Sequence, residues 1–383
     1  MDPRYQQLAE IMTRYSTKVE PGDRVLFITY TSVDPRMNEA VIDAISSRGG
    51  SVLEPLLRDQ RLIASALRAS SNSSLDADGK QYLMRLQGAT KRIEIRGYGN
   101  PNEMSFARPH DHQNLARESQ AKWAGHFADG MPWVLTNWPS EGFAQLMGVS
   151  TREAEDFYFN AVLADYPAMA RAVQPLKELM DRTDKVKIVG PSDTNLEFSI
   201  KGIGSVPCVG QRNIPDGECF TAPLRESMSG EIWYNTLTIT KSGERFTNVA
   251  FKVHKGKIVR AGCDDGDHDL LEQILDTDEG ARYFGEWSLG LNWGVERIIG
   301  DTLFDEKVGG TFHLTPGKAY ATADNGNRSS VHWDIVCDQR EAAGGGEIYF
   351  DGVLVRKNGI FVLQELAGLN PPGSTVPEAA ATA

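Results

Sequence analysis

Residues 21–57 run strand, helix, strand, and that order constrains the chain more than any other stretch. PGDRVLFITY reads as a short apolar strand after a turn, PRMNEAVIDAISSRGG as a helix stopped by glycine, and SVLEPLL as a second strand. Two strands joined through a helix lie parallel in one sheet, because a parallel pair needs a crossover of roughly a dozen residues or more. Upstream, RYQQLAEIMTRYSTKV spaces Leu8, Ile11, Met12 and Tyr15 at helical intervals. Downstream, STREAEDFYFNAVLADYPAMARAVQPLKELMDRT continues as helix, opened by a Ser150/Glu153 capping box. The expectation is an α/β N-terminal domain with a Rossmann-like parallel sheet over residues 1–183. Its first strand–helix loop, TSVDPRM, lacks G-x-G-x-x-G, and Gly97 and Gly99 in RGYGNPN form a lone G-x-G that reads as a turn. A dinucleotide site is therefore not supported.

Near residue 183 the texture changes. Residues 1–185 hold 11 of the 37 glycines, so most turn signals fall in the second half. There VKIVG, NLEFSI, EIWYNTLTIT, TNVAFKVHKGKIVRAG and GEIYFDGVLVRKNGIFV read as short strands between Gly, Asn and Asp turns. One long helical pattern, DHDLLEQILDTDEGARYF, interrupts them. The expectation is a strand-rich α+β C-terminal domain over 184–368. Residues 369–383, ending in NPPGSTVPEAAATA, have too little apolar surface to fold and are expected to be disordered.

A formal net charge of −12 repels phosphate backbones and anionic lipid, and no Lys/Arg stripe with interleaved aromatics is present, which argues against nucleic-acid and membrane partners. No basic segment precedes an apolar run at the N-terminus, and no stretch approaches the ~18–20 apolar residues of a membrane helix. Cys208, Cys219, Cys263 and Cys337 form no C-x-x-C pair and read as free thiols of a reducing compartment, with the cytoplasm as the expectation.

Chemistry concentrates in the second half. VHWDIV has the β-branched content of a strand, which sets His332 and Asp334 on one face and Trp333 on the other. Imidazole and carboxylate suit a divalent metal, and a surface His–Asp pair is the plainer alternative. His313 follows Gly309, Gly310 and Thr311 at an element end, and Tyr320 comes after a Pro-Gly turn. Each also has an ordinary structural reading. Glu286 follows Gly285 within ARYFGEWSLGLNWG, and Glu218 follows Gly217 within NIPDGECFTAP. A carboxylate inside an apolar run is buried and needs a partner, either a metal or an arginine. His110, Asp111 and His112 lie in a polar loop, His268 in an acidic turn before a helix, and His126 and His254 stand alone.

In order, Glu218, Glu286, His313, Tyr320, His332 and Asp334 form a constellation, and their blocks resemble a known family. NIPDGECFTAP, GEWSLGLN, DEKVGGTFHLTPGKAY and NRSSVHWDIV are similar to the corresponding blocks of the thermophilic-type metallo-aminopeptidases, peptidase family M29. LAEIMTRYSTKVEPGDRVLFI also resembles that family's N-terminal segment. The resemblance implies that all six residues hold two divalent ions (Zn, Co or Mn), with Glu218, Glu286 and Tyr320 in catalytic roles. Either glutamate could bridge the ions or act as base. It further implies a homodimer hydrolysing the N-terminal amide of a peptide or amino-acid amide.

The 2,5-dihydroxypyridine dioxygenases, which hold one Fe(II) through two histidines and an aspartate, resemble the same scaffold. TYTSVDPRMNEAV and HWDIV share some of their character. Their positions matching Glu286 and Glu218 look like histidine and a non-acidic residue, so retention of both glutamates favours the two-metal hydrolase.

Overall fold

The strand at Arg24–Tyr30 (β1) buries Val25, Leu26, Phe27 and Ile28 in succession, which requires cover on both faces. The computed structural model, which describes residues 2–53, 55–69, 71–103, 105, 130–240 and 243–374, supplies the strand partners. β2 (Ser51–Val52) and β3 (Leu56–Arg58) pair with β1 on one side. β4 (Lys91–Arg96) pairs on the other, followed by β5 (Trp133–Asn137) and a short strand at Asn213–Ile214. Every pairing is parallel, as the strand–helix–strand order requires. The helix at Pro35–Ser47 is capped by Asp34, whose carboxylate accepts from Arg36 N at 2.8 Å. It buries Met37, Ala40, Val41, Ala44 and Ile45, one stripe at helical spacing.

The first helix departs from its expected stripe. After Pro3–Glu10 the chain widens into a π-turn over Ile11–Ser16, and Thr17 N reaches back to Met12 O. Thr13 and Ser16 are therefore buried, while Ile11 and Tyr15 are only half-buried. The Ser150/Glu153 capping box is present. His110, Asp111, His112 and His126 lie outside the described residues.

The chain forms two compact units, Met1–Leu163 with Gly210–Pro215 and Lys241–Gly243, and Ala164–Val209 with Asp216–Thr240 and Glu244–Ala383. The sequence reading divided the chain at 183/184. The helices at Tyr166–Ala172 and Gln174–Arg182 pack instead with the second unit, because Leu176 and Met180 share a core with Val186 and Ile188.

That second unit holds two antiparallel sheets. One has eight strands, with Asn195–Ser199 and Lys185–Val189 central. The other runs, in spatial order, Ile335–Asp338, Thr311–Pro316, Phe284–Gly290, Glu218–Thr221 and Val206–Cys208. In chain order these become β6 (Val206–Cys208), β7 (Glu218–Thr221), β8 (Phe284–Gly290), β9 (Thr311–Pro316) and β10 (Ile335–Asp338). Alternation divides the five-stranded sheet by chemistry. Cys219, Trp287, Leu289, Phe312, Leu314, Ile335 and Cys337 enter a core shared with the eight-stranded sheet. Trp287 lies edge-on to Phe198 and to Phe350 across that core, at 5.3 and 5.9 Å between ring centroids. The opposite face carries Glu218, Glu286, Ser288 and His313.

The long helical pattern after residue 267 is shorter than expected. The helix spans His268–Leu275 and gives way to turns at DTDEG, where Asp and Gly favour reversal. Asp267 caps it, with His268 its first residue. Near the C-terminus Asn370 is buried and bonds both Phe361 N (2.8 Å) and Phe361 O (2.9 Å), so ordered structure extends past residue 369. Residues 375–383 lie outside the described residues.

Among the described residues no helix is long and apolar enough to cross a membrane. Gly285 sits at the β8 register shift, where a Cβ would lie 2.3 Å from the Lys318 carbonyl carbon. Gly285→Ala must push the 317–318 backbone away, and is expected to destabilise the protein by about 1–3 kcal/mol in urea denaturation. Unchanged stability would show that this close approach is not required.

Candidate metal centre

Each candidate side chain reaches the polar face by a local device. Gly217 adopts φ +132°, which turns the chain into β7 with Glu218 at its start. Glu286 follows the register shift at Gly285 and stands across from Thr315. His313 stands across from Ser288, in the middle of β9. The VHWDIV segment differs from expectation, since regular pairing begins only at Ile335. Pro316, at the end of β9, has no N–H to offer the ladder, and His332 is held by a single bridge to Gly317. Its ring Nδ1 lies 2.8 Å from Lys318 O. Trp333 points the other way, buried, with Nε1 donating to Thr238 Oγ1.

Glu286 is the centre of the arrangement. Its Oε1 lies 3.1 Å from His313 Nε2, and its Oε2 lies 3.6 Å from His332 Nε2. Glu218 Oε2 is 3.5 Å from His313 Nε2, and Asp334 Oδ1 is 3.3 Å from His332 Nε2. The ligand atoms of Glu218, Glu286 and His313 lie within 4.8 Å of one another, as do those of Glu286, His332 and Asp334. Five of the six expected residues thus converge. Tyr320 stands beside them, 45% exposed, its ring centroid 4.6 Å from that of His332 and 5.9 Å from that of Phe220.

These spacings fit a divalent ion. Donors bonded at about 2.1 Å in tetrahedral or octahedral geometry lie roughly 3.0–3.5 Å apart. Glu286 Oε2 and His313 Nδ1 are buried with no hydrogen-bond partner among the described residues. An orphaned carboxylate oxygen turned toward an imidazole suits a site built for a cation. Outer contacts orient the donors: Thr315 Oγ1 donates to Asp334 Oδ1 at 2.6 Å, and Ser288 Oγ to Glu218 Oε2 at 3.0 Å.

Two residues of this face were not singled out from sequence. Lys307, fully buried, lies 2.5 Å from Glu218 Oε1, 2.7 Å from Glu306 Oε1 and 3.7 Å from Asp216 Oδ1. It is the partner that the buried Glu218 needed, where an arginine or a metal had been expected. Cys208, Asp216 and Glu218 also cluster, but the Lys307 ammonium already pairs with both acids there. Lys307 and Glu306 both lie in the DEK of DEKVGGTFHLTPGKAY, and a lysine preceded by two acids just before an apolar Gly-Gly run was the available signal.

The electrostatics follow from burial among acids. Burial alone lowers the pKa of His313, but its hydrogen bond to Glu286 and the fields of Glu218, Glu286 and Asp334 outweigh that and raise it to about 9. His332, opposed by burial and favoured chiefly by Asp334, also rises to about 9. Burial raises Glu286, with His313 opposing and Asp334 adding to the rise. Glu306 goes up to about 8 by burial, against the pull of Lys307.

The family model described as thermophilic metalloprotease (M29) matches residues 1–361. The chain is 32% identical over 160 residues to aminopeptidase T of Thermus aquaticus, covering 37% of this chain and 36% of that protein. It is 30% identical over 236 residues to aminopeptidase AmpS of Bacillus subtilis, covering 55% and 57% respectively. The matched stretches therefore span about a third to just over half of these relatives. Among solved structures, wild-type AmpT from Thermus thermophilus superposes with a TM-score of 0.79 at 22% identity, covering 94% of this chain and 99% of that one. The 2,5-dihydroxypyridine dioxygenase of Pseudomonas putida KT2440 gives a TM-score of 0.59 at 14% identity, covering 96% and 99%. Both likenesses concern the two-unit α/β fold.

Because metal binds neutral imidazole, the two raised histidines set the direction of a pH effect. Below about pH 9 both carry protons in the metal-free protein, so metal uptake must expel them. Titrating zinc into metal-free protein at pH 7 is expected to release at least two protons. Affinity should rise with pH and level off above about 9. Calorimetry in buffers of differing ionisation enthalpy measures the release, and a value near zero at pH 7 would contradict the arrangement.

Proposed function

The chain belongs to the thermophilic metalloprotease (M29) family, and we propose that it is a dinuclear aminopeptidase acting on the N-terminal amide of peptides or amino-acid amides. The observation that carries this reading is the position of Glu286, with one carboxylate oxygen facing each histidine. Glu286 would be shared between two ions, one held with Glu218 and His313 and the other with His332 and Asp334. Glu218 offers Oε2 alone, because Lys307 holds Oε1. Tyr320 joins the set on the family resemblance and its ring contact with His332.

Charge supports two ions. Asp216, Glu218, Glu286, Glu306 and Asp334 set five carboxyl groups against the ammonium of Lys307; burial raises Glu286 and Glu306, and two divalent cations would match the four negative charges left once all five ionise. Bound Zn, Co or Mn supplies Lewis acidity, polarising the amide carbonyl and lowering the pKa of a water toward about 7. The protein's own groups prepare that chemistry. His332 Nδ1–H donates to the Lys318 carbonyl, which would leave the Nε2 lone pair of the neutral ring facing the site. Ser288 and Thr315 hold Glu218 and Asp334 in their orientations without adding charge.

The restriction to a free N-terminus comes from the aminopeptidases to which the chain is similar. A homodimer in the cytoplasm belongs to the same reading, supported by the family resemblance and by four cysteines that are free. A single Fe(II) on His332, Asp334 and a second imidazole would give the buried Glu286 no second cation to face, so the ring-cleaving dioxygenase is the weaker reading.

Glu286→Gln and His332→Ala are expected to lower release of p-nitroaniline from amino-acid p-nitroanilides below about one hundredth of the parent rate. Circular dichroism should show the fold retained. Parent-like hydrolysis by both variants would end the assignment, and oxygen consumption on a hydroxylated pyridine by an iron-loaded parent would establish the alternative.

A further inference from the structure

One face of the parallel sheet in the first unit carries charge where such sheets are ordinarily apolar. Alternation along β4 puts Arg92, Glu94 and Arg96 on that face. Leu26 and Ile28 of β1 stand across from Arg92 and Glu94, and Asn137 of β5 stands across from Arg96. On the other side of β1, Arg58 of β3 pairs with Tyr30, which shares the face of Leu26 and Ile28. Arg58 and Arg96 therefore flank the carboxyl end of β1. Strand order reverses at this point, with β2 and β3 to one side of β1 and β4 and β5 to the other. Open α/β sheets take their ligands in the crevice outside the carboxyl ends of strands at such a reversal.

The charges on this face do not balance. Glu94 is buried, and Arg96 Nε donates to its Oε1 at 2.9 Å. Arg58 and Arg92 meet aromatic rings instead. The Arg58 guanidinium lies 5.7 Å from the Tyr82 ring centroid, and that of Arg92 lies 5.0 Å from the centroid of Trp133. Arg92 Nη1 donates to the Tyr82 hydroxyl at 3.1 Å, while its Nε is buried with no hydrogen-bond partner among the described residues. All three guanidiniums bear on Glu94. Burial alone would raise its pKa, but Arg96, Arg92 and Arg58 outweigh that and lower it. Three cations thus converge on one anion, leaving two positive charges in excess within a chain of formal net charge −12. Ring contacts offset only ~0.5–2 kcal/mol each and leave N–H donors unused. The Arg96 side chain is 41% exposed, so a solute can reach it.

A planar guanidinium engages an oxyanion through paired N–H donors, and an excess of two positive charges matches a dianion. We propose that Arg58, Arg92 and Arg96, gathered around Glu94 beside the carboxyl end of β1, bind a small dianionic oxyanion, a phosphate or a dicarboxylate. Glu94 orients Arg96 and limits the excess charge while the site is empty. The acidity of the chain as a whole repels extended polyanions, which restricts the ligand to a small molecule. The site lies within the first unit, uses no residue of the metal centre and does not depend on the aminopeptidase reading.

The test is calorimetry on the full chain at about 0.15 M salt, titrating inorganic phosphate and, separately, succinate into the parent, Arg92→Gln, Glu94→Gln and His332→Ala. The parent is expected to take up one equivalent of at least one probe with a Kd of about 1 mM or tighter, and the probe that binds gives the class of oxyanion. Arg92→Gln should weaken that binding by at least about tenfold. Glu94→Gln should tighten it by about threefold or more, because the competing carboxylate is gone. An arginine cluster with only a structural role would not gain affinity in this way. His332→Ala should bind as the parent does. Uptake of neither probe at about 10 mM overturns the proposal. So does parent-like affinity in Arg92→Gln, or affinity in Glu94→Gln that does not rise. Binding lost in His332→Ala and kept in Arg92→Gln would place the anion on the metal centre and overturn it as well. Should Arg92→Gln fail to fold, Arg96→Gln takes its place under the same tenfold criterion.

Discussion

Glu286 sits in the middle of a folded sheet with almost no access to water, one oxygen toward His313 and the other toward His332. An isolated carboxylate there would be unfavourable by several kcal/mol even after relaxation, so the site must contain positive charge in every state. Without metal that charge is protons, and for this reason both imidazoles hold theirs to about pH 9. Divalent ions would replace those protons in the same space. The surroundings of the site follow from this requirement, from the ammonium of Lys307 on the far side of Glu218 to the hydroxyls of Ser288 and Thr315.

The five-stranded sheet makes the requirement affordable in structural terms by separating its faces. Trp287 and Leu289 anchor β8 in the apolar core from one side, while Glu286 and Ser288 stand on the other. The same holds for Cys219 between Glu218 and Phe220, and for Phe312 and Leu314 around His313. Each polar ligand is thus flanked along its strand by side chains locked between two sheets. Such support holds donors to within the fraction of an ångström that ion binding demands. His332 and Asp334 lie outside regular pairing and are fixed by other means, the Gly317 bridge, the Lys318 carbonyl and the buried Trp333.

Much of this was legible in the amino-acid order. The strand–helix–strand at residues 21–57 gave a parallel sheet, and Glu218 and Glu286, each following a glycine inside an apolar run, read correctly as buried. What escaped had causes that act at long range or against local preference. Lys307 meets Glu218 from 89 residues away, so the sequence could show that the acid needed a partner but not which one. Glu306 draws its place from that same contact. The π-turn at Ile11–Ser16 shifts a helical stripe by one position, which periodicity alone does not reveal. The helices at 166–182 carry an ordinary amphipathic pattern, and only the core they join assigns them to the second unit.

The central claim is that Glu218, Glu286, His313, His332 and Asp334 form one cage centred on Glu286 that holds a pair of ions. Anomalous-difference maps collected at the zinc edge from zinc-soaked crystals test it most directly. The account predicts two peaks about 3.5–4 Å apart on either side of the Glu286 carboxylate. A single peak at His332 and Asp334, or zinc bound only elsewhere on the chain, would contradict it.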